Sequence, residues 1–225
     1  MLQQLLSVFL ESKCLFCDRR AYPMVNSTSG ASICQYCWAK LSSCEFKKSD
    51  RTLWWRSLST FAWGKYDGQL KRAIAQMKYN NHPEIAIVLG KLLAEAWLES
   101  DLIKYSKLSV IPIPLHRHKK KERGFNQAEK IAQGFCQSTG YALSSQALIR
   151  VKDTQPMFDL NPEARIKNLE SAFNLGRKLP QHPVLLLDDI YTMGTTVKES
   201  ARVLRQHNIK VIGSIVAAKT SSSRN

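Results

Sequence analysis

Three short apolar runs constrain this chain most: Ser109 to Ile113, Val184 to Leu187 and Val211 to Ala217. Their apolar character is continuous rather than alternating, which suits strands covered on both faces. Around them lie stretches with apolar residues three and four apart, predicting helices over Gly68 to Met77, Glu84 to Ser100, Asn126 to Thr139 and Thr195 to Gln206. From Trp54 onward, helical stretches alternate with short β-branched runs, so an α/β fold with a parallel sheet flanked by helices is expected. At 225 residues and 44% hydrophobic content, the chain can bury one full core and a small appended module.

Composition changes near residue 50, so the expected division is 1–50, 51–220 and a disordered tail at 221–225. The first part holds five of the six cysteines and no long periodic segment. "CLFC" at Cys14 to Cys17 and "CQYC" at Cys34 to Cys37 are two Cys-x-x-Cys knuckles. Cys14, Cys17, Cys34 and Cys37 can close a tetrahedron around Zn²⁺, a structural geometry with no position open for chemistry. A segment with so little apolar periodicity is expected to need that metal to fold. Cys44 and Cys136 read as small hydrophobic residues. The apolar stripe Leu2, Leu5, Leu6, Phe9 and Leu10 reads as a docked amphipathic helix, having neither a basic leader nor a cleavage site. No apolar run approaches the about 20 residues of a membrane span. A cytoplasmic location is expected, where paired cysteines hold metal more often than they form disulfides.

The 33 Lys and Arg residues outnumber 18 acidic ones, giving a formal charge of +15 that makes nucleic acid or phosphorylated small molecules the first partners to consider. A dense run of this charge is "HRHKKKERG", which follows the strand at 109–113 and is expected to be a loop: Arg117, Lys119, Lys120, Lys121 and Arg123, with Gly124 allowing a tight turn and Asn126 capping the next helix. In open α/β sheets, ligands bind beyond the carboxyl ends of the strands, where this run falls. His116 and His118 have no Cys or carboxylate neighbour at ligand spacing, so phosphate contact is expected of them rather than metal ligation. Trp54, Trp55 and Trp63 read as packing residues rather than base-stacking platforms.

"VLLLDDIYTMGTT" places Asp188 and Asp189 at the same carboxyl edge. Two adjacent buried carboxylates repel, and one is driven toward protonation unless cations or hydroxyls stand before them. The turn Tyr191, Thr192, Met193, Gly194, Thr195 and Thr196 leads into a helix, and its successive backbone N–H groups make an anion nest that suits a phosphomonoester. Acid pair, nest and basic run together describe a site for a sugar carrying phosphate at more than one end.

These residues resemble the phosphoribosyl pyrophosphate (PRPP) motif of type I phosphoribosyltransferases. "YDGQLKRAIAQMKYNNHPEIAIVLG", "IPIPLHRHKKKERGFNQAEKIA" and "LIRVKDTQPMFDLNPEARIKNLESAF", with the Cys pairs, are similar to the ComF/GntX family of competence-associated proteins. The resemblance implies a zinc-bearing N-terminal domain before a phosphoribosyltransferase-type domain. It implies that Asp188 and Asp189 face ribose hydroxyls, Thr192 to Thr196 hold the 5-phosphate, Arg117 to Arg123 form the pyrophosphate loop, and Lys78 sits near the cleft. Met193 departs from the family where a hydroxyl residue is frequent, and Met157 where Gln is. The +15 charge and the run Lys119, Lys120, Lys121 and Arg123 point to single-stranded DNA as a partner held by those side chains, and the family implies a role in natural transformation beside a helicase-like translocation partner and other competence proteins. The residues alone do not choose between such a binding factor, an active phosphoribosyltransferase using Mg²⁺ and PRPP, and a GntX-like role in using DNA as a nutrient.

Overall fold

A computed structural model describes residues 12–21, 32–53, 58–80, 82–102, 105–153 and 169–220. The stripe at 2–10, Trp54, Trp55, Met157 and the tail lie outside the described residues. After a short antiparallel pair, β1 (Ser12–Lys13) with β2 (Arg20–Ala21), a six-stranded sheet forms the centre, in the order β3 (Thr52–Leu53), β4 (Thr60–Lys65), β10 (Val211–Lys219), β9 (Val184–Tyr191), β5 (Ser109–Pro112), β6 (Ala142–Leu143). Every neighbouring pair is parallel except the antiparallel edge pair β3 and β4. The expected parallel sheet is thus observed. Val110, Ile111, Leu186, Leu187, Ile215 and Val216 are fully buried in its middle.

Among the described residues the helices are α1 (Gln35–Ser42), α2 (Gly68–Tyr79), α3 (Pro83–Leu98), α4 (Arg117–Arg123), α5 (Gln127–Thr139) and α6 (Thr195–Gln206). Local chemistry sets their starts. The Asp67 carboxylate accepts from Gly68 N–H, Pro83 opens α3, and the Asn126 side chain accepts from Ala128 N–H. The Asn126 amide also donates to the Ile113 carbonyl at 3.0 Å, which ties the start of α5 to the end of β5. Where α3 crosses α5, Gly90 and Gly134 bring backbone against backbone, and a Cβ at either would strike the opposite helix. Crossovers between parallel strands are right-handed. Those from β4 to β5 and from β5 to β6 run one way along the sheet, and the one from β9 to β10 runs the other. Helices α3 and α5 therefore cover one face, and α6 the opposite one.

Three sequence expectations need correction. Strand β9 does not stop at Leu187 but continues to Tyr191, because pairing with β10 (Asp188 opposite Val216, Ile190 opposite Ala218) carries it through the acid pair. The basic run is the helix α4 rather than a loop, closed by Gly124 in the left-handed region at φ 77°. Strand β4 gave no clear sequence signal, although Phe61, Ala62 and Trp63 are buried, Trp63 as the expected packing residue. Among the described residues, no helix is long and apolar enough to cross a membrane.

Candidate functional site

The chain leaves β5 and β9 in opposite directions along the sheet, so these neighbouring strands form a topological switch point, where α/β sheets open a ligand crevice. Their pairing ends with Pro112 opposite Leu187, and the Ile113 N–H then donates to the Leu187 carbonyl at 2.8 Å. Beyond Leu187, β9 runs on with β10 alone. Asp188 and Asp189 are therefore the first residues past the split, with alternating side-chain directions.

Both carboxylates have cationic company. Lys78, at the end of α2, places its Nζ 2.6 Å from Asp189 Oδ2, with side chains only 18% and 14% exposed. Burial works against the Lys78 charge, but the carboxylates of Asp189 and then Asp188 outweigh it and raise its pKa. Burial first, and then the Asp189 charge, push Asp188 up to about 8, against the opposing pull of Asp189 N–H, Lys78 and Arg150. Asp188 Oδ1 accepts from that N–H at 2.8 Å. Burial and the neighbouring Asp189 thus leave the Asp188 carboxyl poorly compensated, and ligand hydroxyls or a further cation would satisfy it.

Arg150 is a member that sequence reading did not select. It ends β7 (Leu148–Arg150), which pairs with β8 (Phe173–Leu175), and its guanidinium lies 5.5 Å over the Phe173 ring. Burial lowers its pKa while Asp188 and Asp153 pull it back. One Arg closing a three-residue strand carries no motif, so only the fold exposes its reach to Asp188.

After β9, Tyr191 to Thr196 turns into α6 through Gly194 at φ 71°, the helix N-cap. Only glycine fits there, since the conformation is left-handed and a Cβ would collide with the Tyr191 phenol. Thr192 and Met193 are exposed, Thr195 and Thr196 half-buried, and α6 begins without a side-chain cap, leaving its first N–H groups for another acceptor.

As a helix, the basic run fans its side chains about 100° apart per residue. Lys121 and Arg123, with Glu122 and Gly124, line a cavity of about 420 Å³ together with Lys78 and Tyr79. Arg123 stacks 5.7 Å from the centre of the Tyr79 ring, and Tyr79 is 71% exposed. Lys120 turns aside to Glu129 at 3.3 Å. Burial and then the Arg150 charge lower the pKa of half-buried Lys119. Arg117 is exposed on the first turn. The expected cationic group is therefore divided, with Lys121 and Arg123 joining Lys78 at the crevice. A second correction concerns His116 and His118: the fold brings the Asp153 carboxylate to both rings, at 3.4 and 3.1 Å.

At the other end of the chain, the ligand atoms of Cys14, Cys17, Cys34 and Cys37 all lie within 4.8 Å of one another, close enough to hold one metal ion. The Cys17 and Cys34 sulfurs are 3.6 Å apart. A tetrahedral Zn–S₄ site with bonds near 2.3 Å has sulfurs about 3.8 Å apart, so the donor set fits structural zinc. The Cys37 N–H draws the Cys34 thiol down to about 7 despite burial, whereas burial and the neighbouring thiols raise Cys37, so the cluster shares its thiolate character unevenly. Cys44 stands apart, its thiol donating to the Lys40 and Asp67 carbonyls, and burial pushes Cys136 up to about 12.

No family model matches the chain. Competence protein F of Haemophilus influenzae is 30% identical over 154 residues, 66% of this chain and 67% of that protein. The chain belongs to the competence protein F family. DNA utilization protein YhgH of Salmonella typhimurium is 29% identical over 149 residues, 65% of this chain, and the match spans 66% of that relative's length. Competence protein ComFC of Streptococcus pneumoniae is 26% identical over 146 residues, covering 64% of this chain and 61% of the relative. Among solved structures, UMP synthase of Leishmania donovani aligns with 81% of this chain and 30% of its own at 16% identity and TM-score 0.38. A likeness so slight adds nothing to the strand order above.

Proposed function

We propose that this member of the competence protein F family is a DNA-uptake factor for natural transformation, which binds single-stranded DNA and keeps a site for PRPP or ribose 5-phosphate beside it. The observation that supports this best is the buried Asp188–Asp189 pair, held by Lys78 where β5 and β9 part. In this reading the two carboxylates accept from ribose hydroxyls. The backbone N–H groups of Thr192 to Thr196 take the 5-phosphate, and Lys78, Arg123 and Arg150 face a diphosphate arriving with Mg²⁺. If transfer occurs, the acid pair orients the ribose while the cations stabilise the departing pyrophosphate. Residues 1–50 act as the zinc-bearing module, residues 51–220 as a phosphoribosyltransferase-like domain, and a DNA-translocating helicase is the expected protein partner.

The names of the relatives divide between competence and DNA utilization. Both need a protein that handles incoming DNA, and the transformation reading is favoured by the 30% identity to competence protein F.

For DNA, the cavity rim supplies Lys121, Arg123 and the exposed Tyr79 ring, a cationic edge beside a stacking surface. Fluorescence anisotropy of a labelled single-stranded oligonucleotide, measured across salt concentrations, tests this. Each neutralised phosphate contributes about −0.7 to the slope of log K against log salt, so the Lys121→Ala/Arg123→Ala double variant is expected to lose about 1.4 from the slope. An unchanged slope places the DNA surface elsewhere. Absence of binding by wild type at low salt removes the DNA reading.

A further inference from the structure

We propose that His116, His118 and Asp153 form a second metal site, for a divalent transition-metal ion such as Zn²⁺. The three residues come from two parts of the chain. His116 is the N-cap of α4 and His118 lies in its first turn, while Asp153, 35 residues beyond His118, follows β7. The Asp153 carboxylate spans the two rings, with Oδ2 3.1 Å from His118 Nδ1 and Oδ1 3.4 Å from His116 Nδ1. All three ligand atoms lie within 4.8 Å of one another. Two ligands on a tetrahedral ion at about 2.1 Å are themselves about 3.4 Å apart, so both spacings already suit a shared ion.

An ordinary surface histidine–carboxylate hydrogen bond accounts for His118, whose side chain is 67% exposed. It does not account for His116. That residue is only 8% exposed, and its Nδ1 is buried without a hydrogen-bond partner although it faces the carboxylate. A buried polar atom left in this state is destabilising, and a metal ion between the three groups would satisfy it. The two rings stand edge to face with centroids 5.0 Å apart, so their nitrogens can converge without a change of backbone.

Two imidazoles and one carboxylate are the donors that Zn²⁺, Co²⁺ or Ni²⁺ prefer, whereas Mg²⁺ and Ca²⁺ demand oxygen. The charges of Lys119 and Arg150 reach Asp153 and weaken the attraction for a bare dication. They favour an anion, hydroxide or a phosphate oxygen, in the remaining coordination position. An ion held here ties residues 151–153 to α4 and so fixes the helix that carries Lys121 and Arg123 into the crevice. This site is independent of the Cys cluster and of the ribose-phosphate reading.

The test is a count of zinc in the full chain, free of any affinity tag, after equilibration with Zn²⁺ and removal of unbound metal by gel filtration. The Cys cluster is quantified in parallel by thiol reactivity. Two ions per chain are expected in wild type and one each in His118→Ala and Asp153→Asn, both at exposed positions where folding is retained. Calorimetric titration with Zn²⁺ should show the second equivalent weakened at least tenfold in either variant. The same count in all three proteins, or a second equivalent of unchanged affinity in the variants, overturns the proposal.

Discussion

Replacing Cys37 with Ser is expected to abolish zinc binding at the N-terminal cluster and unfold the segment that carries it. Among the described residues of this part of the chain, Cys14 and Cys37 are buried, and the other buried hydrophobic side chains are few: Phe16, Ala21, Ile33 and Leu41. Strands β1 (Ser12–Lys13) and β2 (Arg20–Ala21) pair over two residues each, too little to persist alone. Zinc bound to such cysteine sets contributes on the order of 10–16 kcal/mol, far above what those side chains supply. Hydrogen exchange on wild type, chelator-treated and Cys37→Ser protein measures this. Protection over residues 12–21 and 32–42 should fall to the unfolded rate in the last two, and all four cluster thiols of chelated protein should react. Full protection in metal-free protein would show that the cysteines are packing groups.

Lys78→Met should cost about 3 kcal/mol near neutral pH, because removing one partner of a buried ion pair strands the other charge. For a chain of this size the melting temperature falls by roughly 6–12 °C. The deficit should depend on pH with a definite sign. Burial and the Asp189 charge push the Asp188 carboxyl up to about 8 from an ordinary 3.8, so the folded state holds its proton more tightly than the unfolded state does. Its contribution to stability is therefore greatest at acid pH and is lost as pH rises between those two values. Lys78 opposes that loss, so the deficit should grow as pH rises from 4 toward 8 and be largest above pH 8. Thermal melts across this range check it. A deficit constant with pH would mean that Lys78 acts through the packing of its alkyl chain alone.

Where periodicity and end signals agree, sequence and structure coincide. Helix α6 spans the expected Thr195 to Gln206, and Asn126 caps α5 as expected. The end of β9 was not legible, because apolarity stops at Leu187 while backbone pairing to β10 does not. Helix α4 was hidden by its own composition: "RHKKKER" has no apolar stripe, and its N-cap His116 offers no side-chain hydrogen bond to mark the start. The acid pair and the Gly194 turn could be found because they are contiguous. Arg150 and Asp153 could not, since pairing of β7 with β8 sets the position of this segment beside the crevice, and that pairing joins residues more than 20 positions apart.

The crevice between β5 and β9 is expected to bind a ribose phosphate through its acid pair. Calorimetric titration of Mg²⁺–PRPP into wild type and into the Asp188→Asn/Asp189→Asn variant tests it most directly. Asn preserves shape and the acceptor for Asp189 N–H but replaces charge-assisted hydrogen bonds, which are about twice as strong as neutral ones. Saturable binding by wild type, weakened roughly 30- to 100-fold in a variant that still folds and keeps its zinc, is the predicted result, equivalent to about 2–3 kcal/mol. No affinity in wild type, or equal affinity in both proteins, would contradict the account.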